Sequence, residues 1–226
     1  MIIKVCGMRE SQNISDVVAA GATWTGLIFY PKSPRYVTEV PAISADVKRV
    51  GVFVDADIQD IISTAIDYRL DILQLHGNES PAMIRELRNS VARQVRQDIK
   101  IMKAISIGNA DDMQTFRRYK DCVDLFLFDT RCETSGGSGR QFDWTIINTY
   151  DGNRPFLLSG GIGPDDASRV MQVHHPMMLG IDINSKFETA PACKDAEAVR
   201  RFIGKLADLQ KKADETNIQN QAQVIL

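Results

Sequence analysis

Histidine is scarce in this chain, with three residues among 226, and cysteine is almost as scarce, with four. Cys6, Cys122, Cys132 and Cys193 form no C-x-x-C pair, and none has a histidine at zinc spacing. The pattern argues against a disulfide framework or a structural metal and suits a reducing, cytoplasmic compartment. No apolar run approaches the ~20 residues of a membrane span. The first apolar run is broken by Lys4 and Arg9, too soon for a signal peptide. An excess of one charge is also lacking. The formal net charge is -2 with 25% charged residues, so no basic face is implied and nucleic acid is not an expected partner. With 44% hydrophobic residues the balance is that of an ordinary globular chain, long enough for one large α/β domain or two small ones.

What is present is a series of short apolar runs with helical segments between them. Strands are predicted at residues 2–6, 25–29, 49–54, 72–76, 101–105, 125–129, 156–159 and 178–183. Their near-continuous apolar character means burial on both faces, as in a parallel sheet covered by helices. Between them, Ser11 to Ala20 reads as a helix stopped by Gly21, and residues 57–68 place Ile58, Ile61, Ile62, Ala65 and Ile66 on one face. Ser80-Pro81 opens another helix with a cap and a first-position proline. Further helices are predicted at 109–119, 143–150, 164–173 and 195–209. Eight alternations in this length predict a single-domain (β/α)8 TIM barrel over residues 1–210, followed by a polar tail over 211–226. The second helix is expected to be short or missing, because Pro41 interrupts the only segment available to it.

A barrel's chemistry sits at the C-terminal ends of its strands. The first strand stops on Cys6-Gly7 and the sixth on Asp129-Thr130, which sets a thiol and a carboxyl on the rim as an acid–base pair. Arg35 lies on a loop stiffened by Pro31 and Pro34 and offers a bidentate grip on a carboxylate. The run with Gly136, Gly137, Ser138 and Gly139 reads as a loop covering the site. Gly160 and Gly161 end the seventh strand. Asp182, Asn184 and Ser185 end the eighth, where barrels commonly hold a phosphate. His76 is expected as a packing residue rather than a site residue. Lys103 is not expected to form a Schiff base, and His174-His175 lacks metal spacing.

Taken together, these motifs resemble one family, phosphoribosylanthranilate isomerase of tryptophan biosynthesis. The matching pieces are Lys4-Val5-Cys6-Gly7, Ser33-Pro34-Arg35-Tyr36-Val37, Gly51-Val52-Phe53-Val54, Gln74-Leu75-His76-Gly77, Phe128-Asp129-Thr130, Gly136-Gly137-Ser138-Gly139, Phe142-Asp143-Trp144, Leu158-Ser159-Gly160-Gly161-Ile162 and Gly180-Ile181-Asp182, in the family's order. The resemblance implies an Amadori rearrangement of N-(5-phosphoribosyl)anthranilate, with Cys6 as general base, Asp129 as general acid, Arg35 holding the anthranilate carboxylate and Gly160-Gly161 at the phosphate. No redox change or metal bond is needed, so no cofactor is expected, and the state implied is a monomer or homodimer.

Three features depart from the family's pattern, the short or missing second helix and two stretches of sequence. Asn184-Ser185-Lys186-Phe187-Glu188 stands where the family reads Ser-Ser-Gly-Val-Glu, and Pro191-Ala192-Cys193-Lys194-Asp195 where it reads Pro-Gly-x-Lys-Asp. Rival readings are the sister isomerase barrel of histidine synthesis, a phosphosugar-binding barrel without catalysis, and a partner-dependent module. The first rival carries an aspartate where this chain has Cys6. The second fits poorly with both rim groups present.

Overall fold

Two layers of apolar side chains, one inside a ring of strands and one outside it, organise the chain. The computed structural model describes the backbone of residues 1–130 and 143–224, and the side chains of 1–130 and 143–215. In chain order the elements are β1 (Ile2–Cys6), α1 (Ser11–Ala19), β2 (Trp24–Ile28), β3 (Lys48–Phe53), α2 (Ile58–Asp67), β4 (Ile72–Leu75), α3 (Pro81–Gln94), β5 (Lys100–Ile107), α4 (Ala110–Met113), β6 (Leu125–Thr130), β7 (Phe156–Leu158), α5 (Ala167–Val170), β8 (Met178–Ile183), β9 (Glu188–Ala190), β10 (Cys193–Lys194) and α6 (Ala196–Val224). Strands β1 to β8 pair in sequence order, all parallel, and β8 closes on β1. This is the expected (β/α)8 barrel. Strands β9 and β10 form a separate antiparallel hairpin.

Side chains alternate across each strand, so every second residue points into the barrel. Val50, Ile72, Met102, Ala104, Leu125, Leu127 and Leu157 fill its lower interior as one cluster. The residues between them, such as Leu73, Ile101, Phe126 and Leu158, join the outer core beneath the helices. Moving up by steps of two from the inner cluster leads to Gln74 and His76 on one side and to Asp129 and Ser159 on the other. On β1 the same inward series is Ile2, Lys4, Cys6. The interior is therefore apolar at the base and polar at the mouth.

The helices follow the sequence unevenly. Ser80 accepts the Met83 amide at 3.2 Å and caps α3, with Pro81 at its first position, as expected. No helix joins β2 to β3. The chain there turns over Pro31 to Tyr36, and Tyr36 bridges to Ile28. Three expected helices are shorter or tighter than predicted. Residues 110–118 are one turn of α-helix followed by 3₁₀ geometry, 144–149 are wholly 3₁₀, and 167–170 are a single turn. A 3₁₀ turn rises about 2.0 Å per residue against 1.5 Å, so few residues span the distance back to the next strand. Helix α6 packs Val199, Phe202 and Leu206 into the outer core. Its backbone continues through the segment read as a polar tail.

Candidate active site

The barrel mouth gathers ionisable side chains from β1, β4, β6, β8 and the hairpin. Cys6 ends β1 with its residue 4% exposed. Below it, Lys4 is fully buried, and its ammonium donates to Asp182 Oδ1 at 2.8 Å. Ser159 lies 3.5 Å from the other Asp182 oxygen. Burial works against the Lys4 charge, but the Asp182 carboxylate and the Cys6 sulfur outweigh it and hold Lys4 above its ordinary value. Cys6 itself is pushed up by burial. Lys4 pulls it back, Asp182 adds to the rise, and Lys194 opposes it. A thiolate base at neutral pH needs a thiol drawn toward neutrality; in this fold desolvation wins over the neighbouring cations.

Asp129 stands at the end of β6, with β7 and β8 between it and Cys6 round the ring. Its Oδ1 accepts the Thr130 amide at 2.9 Å, and its Oδ2 lies 3.4 Å from His76 Nε2. On the other side of the ring, His76 Nδ1 meets Gln74 Nε2 at 3.0 Å. One ring nitrogen of His76 meets Gln74 and the other faces Asp129. His76, expected to serve packing, thus belongs to the site. The signal was its parity: it sits two residues above the inward-facing Gln74.

Arg35 lies across Gly7. A Cβ on Gly7 would come within 2.5 Å of Arg35 Cδ and 2.8 Å of Asn184 Oδ1, and Gly7 has φ +73°, so glycine suits this corner on both counts. The guanidinium is engaged by an internal carboxylate. Nε donates to Glu188 Oε1 at 2.8 Å and Nη2 to Glu188 Oε2 at 2.6 Å. Lys194, with its side chain fully buried, donates to Glu188 Oε1 at 2.5 Å and to Asn184 Oδ1 at 2.9 Å. Burial alone would raise the Glu188 carboxyl; Arg35 and Lys194 overcome it and hold Glu188 below its ordinary value. Asn184, expected among the phosphate ligands, is thereby brought to the Arg35 side. Asp182 is committed to Lys4. Sequence reasoning left Lys4, Glu188 and Lys194 out of the site.

Gly160 and Gly161 follow β7 with φ of +94° and +67°, the backbone that lets consecutive N–H groups turn toward an anion. Ser185 opens the 3₁₀ turn after β8. The Lys186 stem crosses from that turn to Gly163, where a Cβ would meet Lys186 Cδ at 3.0 Å. The expected loop cover of Gly136, Gly137, Ser138 and Gly139 lies outside the described residues.

Lys103 is excluded from the mouth by its parity. Met102 and Ala104 face inward, so Lys103 faces the outer layer. There its ammonium pairs with Glu79 at 3.2 Å and donates to the carbonyls of Leu75, Gly77 and Ala104. His175 is equally structural, held by the Tyr150 carbonyl and the Met177 amide. Among the described residues no cluster of three or more histidine, cysteine or acidic side chains could hold a metal.

Comparison with known proteins gives the family. A family profile described as N-(5'phosphoribosyl)anthranilate (PRA) isomerase matches residues 3–205. A relative named N-(5'-phosphoribosyl)anthranilate isomerase, from Parabacteroides distasonis, is 47% identical over 210 residues, covering 90% of this chain and 92% of its own. The crystal structure of phosphoribosyl anthranilate isomerase from Thermotoga maritima superposes with a TM-score of 0.80 at 32% identity, covering 92% of this chain and all of that one. A further isomerase structure, solved with reduced 1-(o-carboxyphenylamino)-1-deoxyribulose 5-phosphate, has a TM-score of 0.77 at 29% identity, with coverage of 92% and 100%. By sequence and by fold, this chain belongs to the phosphoribosylanthranilate isomerase family.

Proposed function

We propose that Cys6 and Asp129 are the general base and general acid of this isomerase. The reaction is the Amadori rearrangement of N-(5-phosphoribosyl)anthranilate to 1-(2-carboxyphenylamino)-1-deoxyribulose 5-phosphate, a step of tryptophan biosynthesis. Asp129 protonates the ribose ring oxygen, the C1′–O bond breaks, and the nitrogen lone pair forms an iminium at C1′. The iminium acidifies the C2′ proton, which the Cys6 thiolate removes to give an enolamine. Transfer of a proton to C1′ and loss of one from the C2′ hydroxyl give the ketone. Atoms balance within the substrate, and each acid–base step is worth about 10²–10⁴ in rate. The scheme calls for no cofactor.

The observation that carries this reading is the placement of two titratable groups, Cys6 and Asp129, on the inward face at the C-terminal ends of β1 and β6. Lys4 and Lys194 favour the thiolate against burial. His76 gives Asp129 a neighbour through which a proton can return from solvent. Arg35 holds the anthranilate carboxylate, while Gly160, Gly161 and Ser185 hold the phosphate. Lys186 brings a further positive charge beside that pocket. Residues 1–210 act as one isomerase domain, as a monomer or homodimer in the cytoplasm, without nucleic acid. No helix of the described residues is long and apolar enough to cross a membrane.

The test is the decay of anthranilate-type fluorescence when purified protein meets freshly made N-(5-phosphoribosyl)anthranilate. Cys6→Ala and Asp129→Asn should each lower kcat by at least about 100-fold while product affinity stays nearly intact. Turnover at the wild-type level in Cys6→Ala would place the base elsewhere.

A further inference from the structure

Arg35 has two edges that can grip a carboxylate, and one is already occupied. Glu188 takes the Nε–Nη2 edge with bonds of 2.8 and 2.6 Å. Among the described residues no partner is found at Nη1, so the Nη1–Nη2 end is left for a second carboxylate. Glu188 is itself held hard. Its Oε1 also accepts from Lys194 Nζ at 2.5 Å and from the Ala192 amide at 3.2 Å, and its side chain is 5% exposed. The hairpin makes this possible, because β9 and β10 pair with Glu188 directly opposite Lys194. Asn184 anchors the far side of the Lys194 ammonium.

Charge decides what the arrangement is for. Arg35 paired with Glu188 alone would be formally neutral and would attract an anion weakly. Adding Lys194 gives two cations against one carboxylate, a surplus of one positive charge in a site walled off from water. A buried unpaired charge is costly until an anion meets it. A ligand carboxylate on the free end of Arg35 supplies that anion.

We propose that Glu188 and Lys194 are positioning residues for carboxylate recognition: Glu188 fixes Arg35 by its Nε–Nη2 edge so that the other end receives the anthranilate carboxylate, and Lys194 keeps the cluster cationic. The inference rests on the reading of Arg35 as the carboxylate-binding residue. It differs from a purely structural role in one respect: the effect depends on whether the ligand has a carboxylate.

The experiment measures KM and kcat with N-(5-phosphoribosyl)anthranilate and with its aniline analogue, which lacks the carboxylate. The proteins are wild type, Glu188→Gln, Lys194→Met, Arg35→Ala and the pair Arg35→Ala/Glu188→Gln. Glu188→Gln should raise KM about tenfold for the anthranilate substrate with kcat within about twofold, and leave the aniline analogue within about twofold of wild type. Lys194→Met also withdraws a cation from Cys6, so it should lower kcat alike on both substrates and raise KM for the anthranilate substrate alone. The pair should be no worse than Arg35→Ala, since Glu188 acts through Arg35. An unchanged KM in Glu188→Gln beside a raised KM in Arg35→Ala overturns this inference alone. A KM raised equally on both substrates overturns it as well. An unchanged KM in Arg35→Ala overturns the reading of Arg35 and the inference with it. If a single variant strands a buried charge and fails to fold, Glu188→Gln/Lys194→Met removes both charges together, leaves Arg35 cationic, and reads the positioning by Glu188 as a raised KM for the anthranilate substrate alone.

Discussion

Lys4 is a lysine with no water around it, and its reason for being there is two residues away. It shares the inward face of β1 with Cys6 and is anchored on Asp182 at 2.8 Å. A buried ammonium beside a buried thiol stabilises the thiolate, the form that removes a proton from carbon. Because burial dominates at Cys6, the thiol of the free enzyme should titrate above its ordinary value of 9.0. This is measurable as the pH dependence of iodoacetamide labelling at Cys6, read by peptide mass so that the exposed Cys193 does not interfere. In Lys4→Met the midpoint should move higher still and turnover should fall. Asp182 would then be stranded without its cation, at a cost of about 3–5 kcal/mol. The pair Lys4→Met/Asp182→Asn removes that cost and should still show a raised midpoint, because Lys4 acts on Cys6 more strongly than Asp182 does. A midpoint that stays put would mean that Lys4 serves the fold alone.

The β9–β10 hairpin is the element that carries the carboxylate grip, and its tight corner is Ala192, at φ +66°. The resembling family has glycine here. An alanine in the left-handed region costs about 1–2 kcal/mol. Ala192 is also 2% exposed, so glycine would forfeit a buried methyl, about 0.8 kcal/mol, and would lose chain entropy of about 0.4–1 kcal/mol. These effects nearly cancel, and Ala192→Gly should change unfolding free energy by less than about 1 kcal/mol. A β-branched residue has no such compensation. Ala192→Val should cost about 2 kcal/mol or more and raise KM, because the Ala192 amide holds Glu188 Oε1. Denaturant unfolding and KM on both variants check this; a valine as harmless as glycine would show that the corner relaxes.

The barrel strands were legible in the sequence because a strand buried on both faces must be apolar along its length. The second helix was legible as missing because Pro41 blocks it. The hairpin was not legible: nothing in the sequence joins Glu188 to Lys194 until the chain turns back at Pro191 and Ala192. The same limit applied to His76 and Asp129, which meet only through barrel closure. Lys4 was legible in principle, as a charge placed at the spacing of Cys6 inside an apolar strand.

At the scale of the whole molecule, one tyrosine ties the outer layer to the barrel. Tyr150 follows the 3₁₀ turn of residues 144–149, is 3% exposed, and contacts the rings of Phe116, Phe128 and Phe156 at 4.7, 5.1 and 5.4 Å between centroids. Its hydroxyl donates to the Arg154 carbonyl at 2.7 Å, which satisfies the neutral form. Burial pushes its pKa up to about 12 in the folded protein. In the unfolded chain a tyrosine titrates near 10. The unfolded state therefore loses the proton first. The stabilisation from Tyr150 is fully present below about pH 10 and is lost as pH rises toward 12. Each pH unit in that window is worth at most about 1.4 kcal/mol. Tyr150→Phe loses the hydrogen bond and should be less stable than wild type by about 1 kcal/mol at pH 8. It has no proton to lose, however, so the gap should shrink by about 1.4 kcal/mol between pH 9 and 11, which carries it through zero and reverses its sign before pH 11. Urea unfolding of both proteins across that range measures the gap directly. A gap that stays constant would mean that the Tyr150 hydroxyl ionises in the folded barrel as readily as in the unfolded chain.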